Sequence, residues 1–256
     1  MASGIAARKK KIDEEQVAQV VETIRNEGFC VVPDLVEPDR IAEIRSVLMR
    51  FLKSEKEQNL HKTGHQRVLH LLNKHAIFTE PLCHPFVLAV WRMYLAPDII
   101  CSTMTANALW PSSTEQYWHV DHPYWTLTQP YPVYPLSGQA IWMVDDFTVA
   151  NGATAGIKGS HKLGRLPELG EQWTDEATIL TGRRGSVILA DGAWWHTSRP
   201  NCTRRTRCAL LTTYIRTHCV PQEDMRMQLA ALKNPSPLVK QLLGGNQYVS
   251  TRTFPY

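Results

Sequence analysis

Apolar residues recur at the spacing of an α-helix in two stretches of the first third of the chain, with charged residues on the opposite faces. The first stretch follows an acidic segment at 13–15 and stops before Gly28, which predicts that this glycine ends the helix. A short apolar run at 29–32, closed by Pro33, predicts a strand, and the second helix starts at about Pro38. The apolar positions are Val17, Val20, Val21 and Ile24 in the first helix and Ile41, Ile44, Leu48 and Phe51 in the second.

The pattern then changes twice along the chain. Residues 53–66 are polar and lack any sustained period, which predicts a mobile surface loop or a lid. Beyond Ile99 the chain consists of short runs rich in β-branched and aromatic residues, separated by turn-forming clusters. From about Pro221 to Leu243 a helical pattern returns, interrupted by prolines. The predicted strands are 99–110, 115–120, 139–147, 185–190 and 206–216.

Composition and charge narrow the class of protein. Of the 256 residues, 43% are hydrophobic and 20% are charged, and β proteins of this length commonly form a single domain. The formal net charge is only +4, and the basic run Arg8–Lys11 lies near the start of the sequence, where solvated disorder is the simpler expectation. We therefore expect no nucleic-acid partner.

The cysteines and the apolar stretches indicate the cellular compartment in which the protein is expected. The six cysteines form no Cys-x-x-Cys pair, and the first residues contain no apolar core followed by a cleavage site, so reduced thiols are expected. The longest apolar stretch, 85–96, contains Arg92 and is much shorter than the roughly 20 residues that span a bilayer. These observations predict a cytoplasmic protein with no membrane partner.

Candidate metal ligands lie in the β-rich half. Successive strand residues alternate between the two faces, so His119 and Asp121 point the same way and can converge on one ion. A His-x-Asp motif alone is frequent by chance. His196, just after the predicted strand 185–190, is a third candidate ligand, although hydrogen bonding at the edge of an aromatic core would also explain it. Two imidazoles and one carboxylate leave coordination positions open, as in non-haem Fe(II) oxygenases.

A cation follows these candidates on the next predicted strand. Arg207 shares a face with Ala209 and Leu211, and a guanidinium among apolar side chains is unfavourable unless an anion meets it. A dicarboxylate cosubstrate would supply that anion.

Four motifs, taken in order and spacing, resemble the phytanoyl-CoA dioxygenase family of Fe(II)/2-oxoglutarate-dependent oxygenases. The resemblance extends from the first helix to about Arg216 and is strongest with members that modify natural products, including meroterpenoid oxygenases. It implies a mainly β fold with flanking helices, a double-stranded β-helix (jelly-roll, cupin-like). The motifs are Gln116-Tyr-Trp-His119-Val-Asp121, Asn151-Gly-Ala-Thr154 leading to Gly159-Ser-His161, His196-Thr-Ser198, and Arg207.

The family pattern assigns roles to these residues. It implies that His119, Asp121 and His196 hold Fe(II) and that Arg207 binds the distal carboxylate of the cosubstrate 2-oxoglutarate. The remaining candidates for binding the cosubstrate are Gln116, Thr154, Ser198 and, upstream of the motifs, Arg67.

Three features of these motifs qualify the assignment. Gln116 would face away from His119 on a regular strand, so its contact with the cosubstrate requires a bulge or bend. His122 alternates to the wrong face, and His161 belongs to a turn that the family uses structurally, so neither is expected to be a ligand. Asp145 and Asp146 follow an apolar run and are expected to end a strand rather than act as acid and base.

The composition and residue pattern, together with the resemblance, predict the domain plan, and the resemblance implies the reaction. One catalytic domain covers 1–256, with 1–12 disordered, 13–98 mostly helical, 99–220 the jelly-roll and 221–256 a helical tail. Halogenating relatives lack the carboxylate that Asp121 provides, so O2-dependent hydroxylation, desaturation or rearrangement is expected, with release of succinate and CO2.

The substrate is less constrained by the sequence. Aromatic residues crowd the motifs and predict a pocket for a small, bulky, largely apolar natural-product intermediate, although core packing explains them equally well. A fatty acyl-CoA hydroxylase, a zinc hydrolase and a non-catalytic jelly-roll binding protein are the alternatives, and a homodimer is left open. The aromatic residues are Trp118, Tyr124, Trp125, Tyr131, Tyr134, Trp142, Trp194 and Trp195.

Overall fold

The computed structural model describes residues 12–168 and 175–245. Of the segment expected to be disordered, 1–12, only Ile12 lies within these ranges, and the tail beyond 245 lies outside them. Within the described residues, no helix is both long enough and apolar enough to cross a membrane.

Helices lie at both ends of the described chain. The first begins where the Asp13 carboxylate accepts hydrogen bonds from the backbone N–H groups of Glu15 and Gln16, and it ends at Gly28 with φ of 91°. This agrees with the helix predicted from the apolar spacing. The α-helices are α1 (Glu14–Glu27), α2 (Pro38–Ser54), α3 (Lys56–Asn59), α4 (Leu71–Lys74), α5 (Thr79–Leu82), α6 (Pro85–Tyr94), α7 (Met225–Ala231) and α8 (Pro237–Leu242).

Nine strands form two antiparallel sheets in the described residues. The larger sheet has the order β1-β7-β4-β9-β3-β2, and the smaller has the order β6-β5-β8. Together they form the double-stranded β-helix that the sequence predicts. The strands are β1 (Phe29–Val32), β2 (His65–Val68), β3 (Ile99–Leu109), β4 (Ser137–Met143), β5 (Thr154–Gly156), β6 (Thr178–Ile179), β7 (Val187–Asp191), β8 (His196–Ser198) and β9 (Arg207–Arg216).

The two faces of the larger sheet meet different parts of the core. On β4, Ala140 and Trp142 pack with the apolar faces of α1, α2 and α6, whereas Ile141 and Met143 pack between the two sheets. Strand β9 repeats the alternation, with Leu210 on the helical side and Leu211 on the inner side. The inner face therefore encloses the space in which a site can form.

Two predicted segments differ from the structure. The expected loop or lid at 53–66 contains α3 and the start of β2, and Gln66 is buried, with hydrogen bonds to Trp110 Nε1 and the Leu52 carbonyl, both 2.8 Å long. These elements are too short for a period to show in the sequence. The predicted strand 115–120 is also absent, since only His119 forms a single bridge, to His196.

Helix α7 is fastened to the sheet by a buried carboxylate. Glu223 accepts hydrogen bonds from the backbone N–H groups of His70 and Met104 at 3.0 and 2.9 Å, and from Gln228 Nε2 at 3.2 Å. Helices α7 and α8 thus pack on the helical side of the larger sheet, away from the inner face.

Candidate active site

The three predicted metal ligands meet on the inner face of the fold. His119 and His196 exchange two backbone hydrogen bonds, 3.1 and 3.0 Å long, and the Asp121 N–H donates to the Gly192 carbonyl at 2.8 Å. One ligand atom from each of the three side chains lies within 4.8 Å of the other two. His196 Nε2 is 3.8 Å from Asp121 Oδ2. The chain thus brings together three potential ligands for one ion.

Backbone carbonyls set the tautomers of both imidazoles. The Nδ1 atoms of His119 and His196 lie 2.9 and 3.0 Å from the carbonyl oxygens of Tyr117 and Trp194. Because a carbonyl can only accept, each Nδ1 carries a proton and each Nε2 presents its lone pair. Burial lowers the pKa of each imidazole to about 4, and burial raises the pKa of Asp121, an effect that the nearby His119 opposes. The imidazoles are thus neutral, as metal ligands must be.

A stacked tryptophan supports His196. The Trp194 and His196 rings lie 4.9 Å apart at an interplanar angle of 13°. A Cβ added to Gly156, opposite His196 in the β5–β8 pairing, would lie 1.7 Å from Trp194 Cζ2. Only glycine leaves room for this ring, so Gly156 determines how Trp194 packs beneath the imidazole.

A cavity of about 30 Å³ adjoins the three side chains, and we call it the triad cavity. All the cosubstrate-binding residues predicted from the sequence line it, together with five residues from β3, β4 and β9. The residues lining it are Arg67, Asn107, Gln116, His119, Asp121, Gln139, Ile141, Thr154, His196, Ser198, Arg207, Ala209 and Leu211.

Gln116 reaches this cavity because its segment is not a regular strand. Its backbone N–H donates to the Ser198 carbonyl at 3.1 Å, and its carbonyl accepts from Thr197 Oγ1 at 2.5 Å. Residues 113–118 therefore follow β8 without strict alternation. The departure from a regular strand that the contact of Gln116 with the cosubstrate requires is therefore present. Ser198 and Thr154, which pair across β8 and β5, line the same cavity.

Arg207 is a buried cation with few partners. Arg207 is 2% exposed, one Nη2–H donates to the Gly152 carbonyl, and Nε has no hydrogen-bond partner among the described residues. The guanidinium carbon lies 4.2 Å from the centre of the Phe147 ring. Within residues 12–168 and 175–245, no carboxylate forms an ion pair with it, and burial lowers its pKa to about 10. The cavity therefore contains a guanidinium suited to an incoming anion.

Arg67 differs from Arg207 in its position. It is exposed, yet its charge lowers the pKa of all three triad side chains, His119, Asp121 and His196. Arg67 thus lies electrostatically near the triad, at the open side of the cavity.

Two polar residues of the cavity were not foreseen. Asn107 lies opposite Arg67 in the β2–β3 register, and Gln139 faces inward from β4 and is buried. Each is a polar residue within a largely apolar strand, and that is the sequence signal that could have identified it.

The expected aromatic pocket is not formed at the triad. None of the eight aromatic residues singled out in the sequence lines the triad cavity. Trp142, Trp194 and Trp195 are fully buried core residues, since most of their large apolar surface packs against neighbouring strands or helices. Tyr117 is 72% exposed, and its ring lies 5.5 Å from the His119 ring, so it is an exposed aromatic residue beside the triad.

The remaining polar candidates have structural roles. His122 Nε2 bonds to the Val220 carbonyl at 2.8 Å, and His161 Nε2 bonds to the Arg25 carbonyl at 3.1 Å. Asp145 follows the end of β4, where it pairs with Arg45 at 2.6 Å. These positions agree with the non-ligand roles expected from the sequence.

Comparisons with known proteins agree with this geometry. Residues 24–209 match the family model described as phytanoyl-CoA dioxygenase (PhyH). A curated relative, dioxygenase af480 of Aspergillus fumigatus, is 26% identical over 181 residues, covering 69% of this chain and 58% of that relative. The match thus spans less than two thirds of that relative's own length.

Two solved structures share the fold. The epimerase SnoN, in complex with Fe³⁺, α-ketoglutarate and nogalamycin RO, gives a TM-score of 0.67 at 16% identity and covers 80% of this chain and 85% of that chain. HygX from Streptomyces hygroscopicus, with nickel and 2-oxoglutarate bound, gives a TM-score of 0.66 at 18% identity. The match covers 79% of this chain and 88% of the HygX chain.

The family match covers most of the chain and includes His119, Asp121 and His196, whose arrangement fits Fe(II). The chain therefore belongs to the phytanoyl-CoA dioxygenase family of 2-oxoglutarate-dependent non-haem iron enzymes.

Proposed function

We propose that this enzyme oxidises a small, free natural-product intermediate, using Fe(II), O2 and 2-oxoglutarate. The observation that carries the proposal is Arg207, a buried guanidinium that lacks a carboxylate partner among the described residues and shares one cavity with three convergent metal ligands. A zinc hydrolase would use the same ligands but would have no use for this cation.

Iron would be held by Nε2 of His119, Nε2 of His196 and a carboxylate oxygen of Asp121. Their geometry fits because both Nε2 lone pairs are available and the ligand atoms cluster within 4.8 Å. When bound, iron would supply the redox chemistry that couples oxidative decarboxylation of 2-oxoglutarate to oxidation of a substrate C–H bond.

Arg207 and Arg67 would each bind a different anionic group of the cosubstrate or the substrate. Arg207 would pair with the distal carboxylate of 2-oxoglutarate, because its Nε lacks a hydrogen-bond partner among the described residues and its guanidinium presents its N–H groups as a planar fork. Gln116, Thr154 and Ser198 would donate further hydrogen bonds. Arg67 would face whichever anionic group lies near the metal, either the keto-acid end of the cosubstrate or an acidic group of the substrate.

The substrate would meet a mixed surface. Ile141 and Leu211 supply the apolar part of the lining, and Tyr117 supplies an exposed ring beside His119. These three residues, rather than the eight aromatic residues named from the sequence, would contact the bulky, largely apolar substrate. Because Asp121 is present, we propose hydroxylation, desaturation or rearrangement as the reaction.

Two relatives support the natural-product context. The SnoN structures concern nogalamycin biosynthesis, and HygX has also been solved with hygromycin B. A fatty acyl-CoA hydroxylase is the second candidate, since the family is described by such a substrate. The proposal also includes a cytoplasmic location and a single catalytic domain.

Anaerobic addition of Fe(II) and then 2-oxoglutarate tests the cofactor assignment. We expect the weak visible absorption band of the iron–keto acid chelate, and we expect it to be lost in His196→Ala. At subsaturating 2-oxoglutarate the band should weaken in Arg207→Ala and persist in Arg205→Ala, a matched control because Arg205 is exposed on the same segment. Absence of the band from folded, iron-loaded protein would contradict the proposal.

Turnover tests the substrate class. We expect succinate release to be stimulated by free polycyclic metabolites and not by a panel of acyl-CoA thioesters. The reverse result would make the acyl-CoA hydroxylase the correct assignment.

A further inference from the structure

A second, larger cavity lies outside the triad cavity and shares no lining residue with it. Its volume is about 460 Å³, within the range of small-molecule sites, and we call it the tyrosine cavity. Three buried tyrosines line it, Tyr94, Tyr124 and Tyr131, together with Asp191.

Strand alternation separates the two cavities. Ala190 packs between the sheets, in the same apolar cluster as Ile141 and Leu211. Asp191, the next residue of β7, points to the helical side, where Tyr94 of α6 donates to its Oδ2 at 2.7 Å. The tyrosine cavity is therefore built on the opposite face of the larger sheet from the triad.

The floor of this cavity is a buried carboxylate that has acceptor capacity left. Asp191 is 4% exposed and accepts from the Tyr94 hydroxyl and from the Ala193 N–H, each at 2.7 Å. Within the described part of the chain, no cation forms an ion pair with it. Two donors leave part of the capacity of a carboxylate unused, so an additional hydroxyl donor can bind here.

One lining residue, Tyr131, carries a buried hydroxyl group that lacks a partner among the described residues. Tyr131 is 7% exposed, and its hydroxyl makes no hydrogen bond with any described residue. A buried hydroxyl without a partner is unfavourable, so a polar group of a ligand would satisfy it. The Tyr131 and Tyr124 rings, 5.0 Å apart, also add flat apolar surface.

Two cations line the same cavity. Arg25, at the end of α1, and Lys162, beside Gly164, are both exposed. A carboxylate or another acidic group that points toward solvent would be attracted to them.

From these contacts we infer that the tyrosine cavity is a second small-molecule site, which takes a hydroxylated ring that carries an acidic group. The ring packs on Tyr124 and Tyr131, its hydroxyls bond to Asp191 and the Tyr131 hydroxyl, and its acid faces Arg25 and Lys162. Phenolic acids and sugar acids share this chemistry. The inference is independent of the iron chemistry, since it uses no residue of the triad cavity.

Tyr124, a lining residue of the tyrosine cavity, also contacts the backbone of Asp121, a proposed metal ligand. The Tyr124 N–H donates to the Asp121 carbonyl at 3.0 Å, and the Asp121 N–H donates to the Gly192 carbonyl at 2.8 Å. A ligand held between Tyr124 and Asp191 thus lies one backbone hydrogen bond from a proposed metal ligand.

Calorimetric titration of the full chain with 4-hydroxybenzoate, glucuronate and benzoate tests the site. We expect saturable binding of one or both hydroxylated acids, at least fivefold weaker binding of benzoate, and the same affinity with and without saturating 2-oxoglutarate. The probe that binds distinguishes the phenolic from the sugar source.

Substitution of single hydroxyls gives the decisive comparison. Tyr131→Phe removes one hydrogen bond and should weaken binding about fivefold to tenfold without lowering the unfolding midpoint. Tyr134→Phe, half exposed at the mouth, should change binding less than twofold. Asp191→Asn provides a second variant if Tyr131→Phe folds poorly.

Two results would overturn the inference. One is the absence of saturable binding by either hydroxylated acid at millimolar concentration. The other is binding that Tyr131→Phe and Asp191→Asn leave unchanged and that 2-oxoglutarate abolishes, which would place the probes in the triad cavity.

Discussion

Replacing Arg207 by Met should separate stability from cosubstrate binding. The Arg207 guanidinium is buried with one carbonyl partner and an aromatic neighbour, and the described residues provide no carboxylate for it. Met is unbranched, uncharged and shorter than Arg, so it would occupy much of the same space without a clash. We expect Arg207→Met to fold with nearly unchanged stability while losing its affinity for 2-oxoglutarate.

The expected change in the free energy of unfolding of Arg207→Met is the sum of opposing effects. Burial lowers the pKa of Arg207 from 12.5 to about 10, so keeping the charge at neutral pH costs about 3 kcal/mol relative to the unfolded chain. Because the folded pKa is depressed, this cost is present at every pH below about 10. The substitution removes it but also removes the contact with Phe147, worth roughly 1–2 kcal/mol, and leaves the Gly152 carbonyl without its partner, at roughly 1–3 kcal/mol. These effects nearly cancel.

Thermal unfolding with and without ligand measures both the stability of the variant and its binding of 2-oxoglutarate. Without ligand, the free energy of unfolding of Arg207→Met should lie within about 2 kcal/mol of the wild type, whereas Leu210→Ala on the same strand should lose about 2–5 kcal/mol. With Mn(II) and 2-oxoglutarate at about 100 times its Kd, the wild type should gain about 2.7 kcal/mol, a rise in Tm of roughly 5–10 °C.

The variant should show no rise in Tm on adding 2-oxoglutarate. A rise in the Tm of Arg207→Met as large as that of the wild type would refute the assignment of Arg207 as the anchor for the cosubstrate. A loss of 4 kcal/mol or more without ligand would refute the argument that the guanidinium is buried at a cost.

Three further predictions concern stability. Gly156→Ala should lower the unfolding free energy by about 1–3 kcal/mol or more because the new methyl group overlaps Trp194. Gly159→Ala should lose only about 1 kcal/mol, from backbone strain, because no atom of the other described residues beyond its chain neighbours lies within 4 Å of the added Cβ; chemical unfolding compares the two variants. Burial raises the pKa of Asp191 to about 6, so the folded state binds this proton more tightly and stability falls by about 3 kcal/mol as the pH rises from about 4 to 6. Asp191→Asn should remove that fall, and an unchanged pH profile of unfolding would count against it. Glu223→Gln should lose roughly 1–3 kcal/mol, measured by denaturant unfolding, because one acceptor oxygen is replaced by a donor that faces N–H groups.

Local periodicity predicts the parts of this molecule that are regular. The apolar spacing of α1 and the glycine after it are sufficient to locate that helix and its end. Inward alternation on β9 likewise places Arg207 with Ala209 and Leu211. At these places the burial of one face determines both the spacing of apolar residues in the sequence and the helix or strand that forms.

Irregular backbone and long-range contacts limit the prediction elsewhere. Gln116 reaches the cavity because the segment 113–118 bonds to β8 without forming a strand, and no local pattern encodes that bond. Asn107 and Gln139 become cavity residues only when two distant strands are placed on the same face. The aromatic residues show the opposite limit, since a tryptophan in the core and one in a pocket have the same sequence signature.

The hydrogen bonds that orient His119 and His196 bear on how this fold can diverge. Both accepting atoms are main-chain carbonyls, those of Tyr117 and Trp194, so no side-chain replacement at those two positions removes the acceptor. In many metal sites a carboxylate side chain has this role, and one mutation can abolish it. Here Tyr117, at the rim, is free to change without altering the tautomer of the adjacent ligand. New substrate preferences can therefore arise by drift at the mouth of the cavity while the ligand geometry is inherited unchanged.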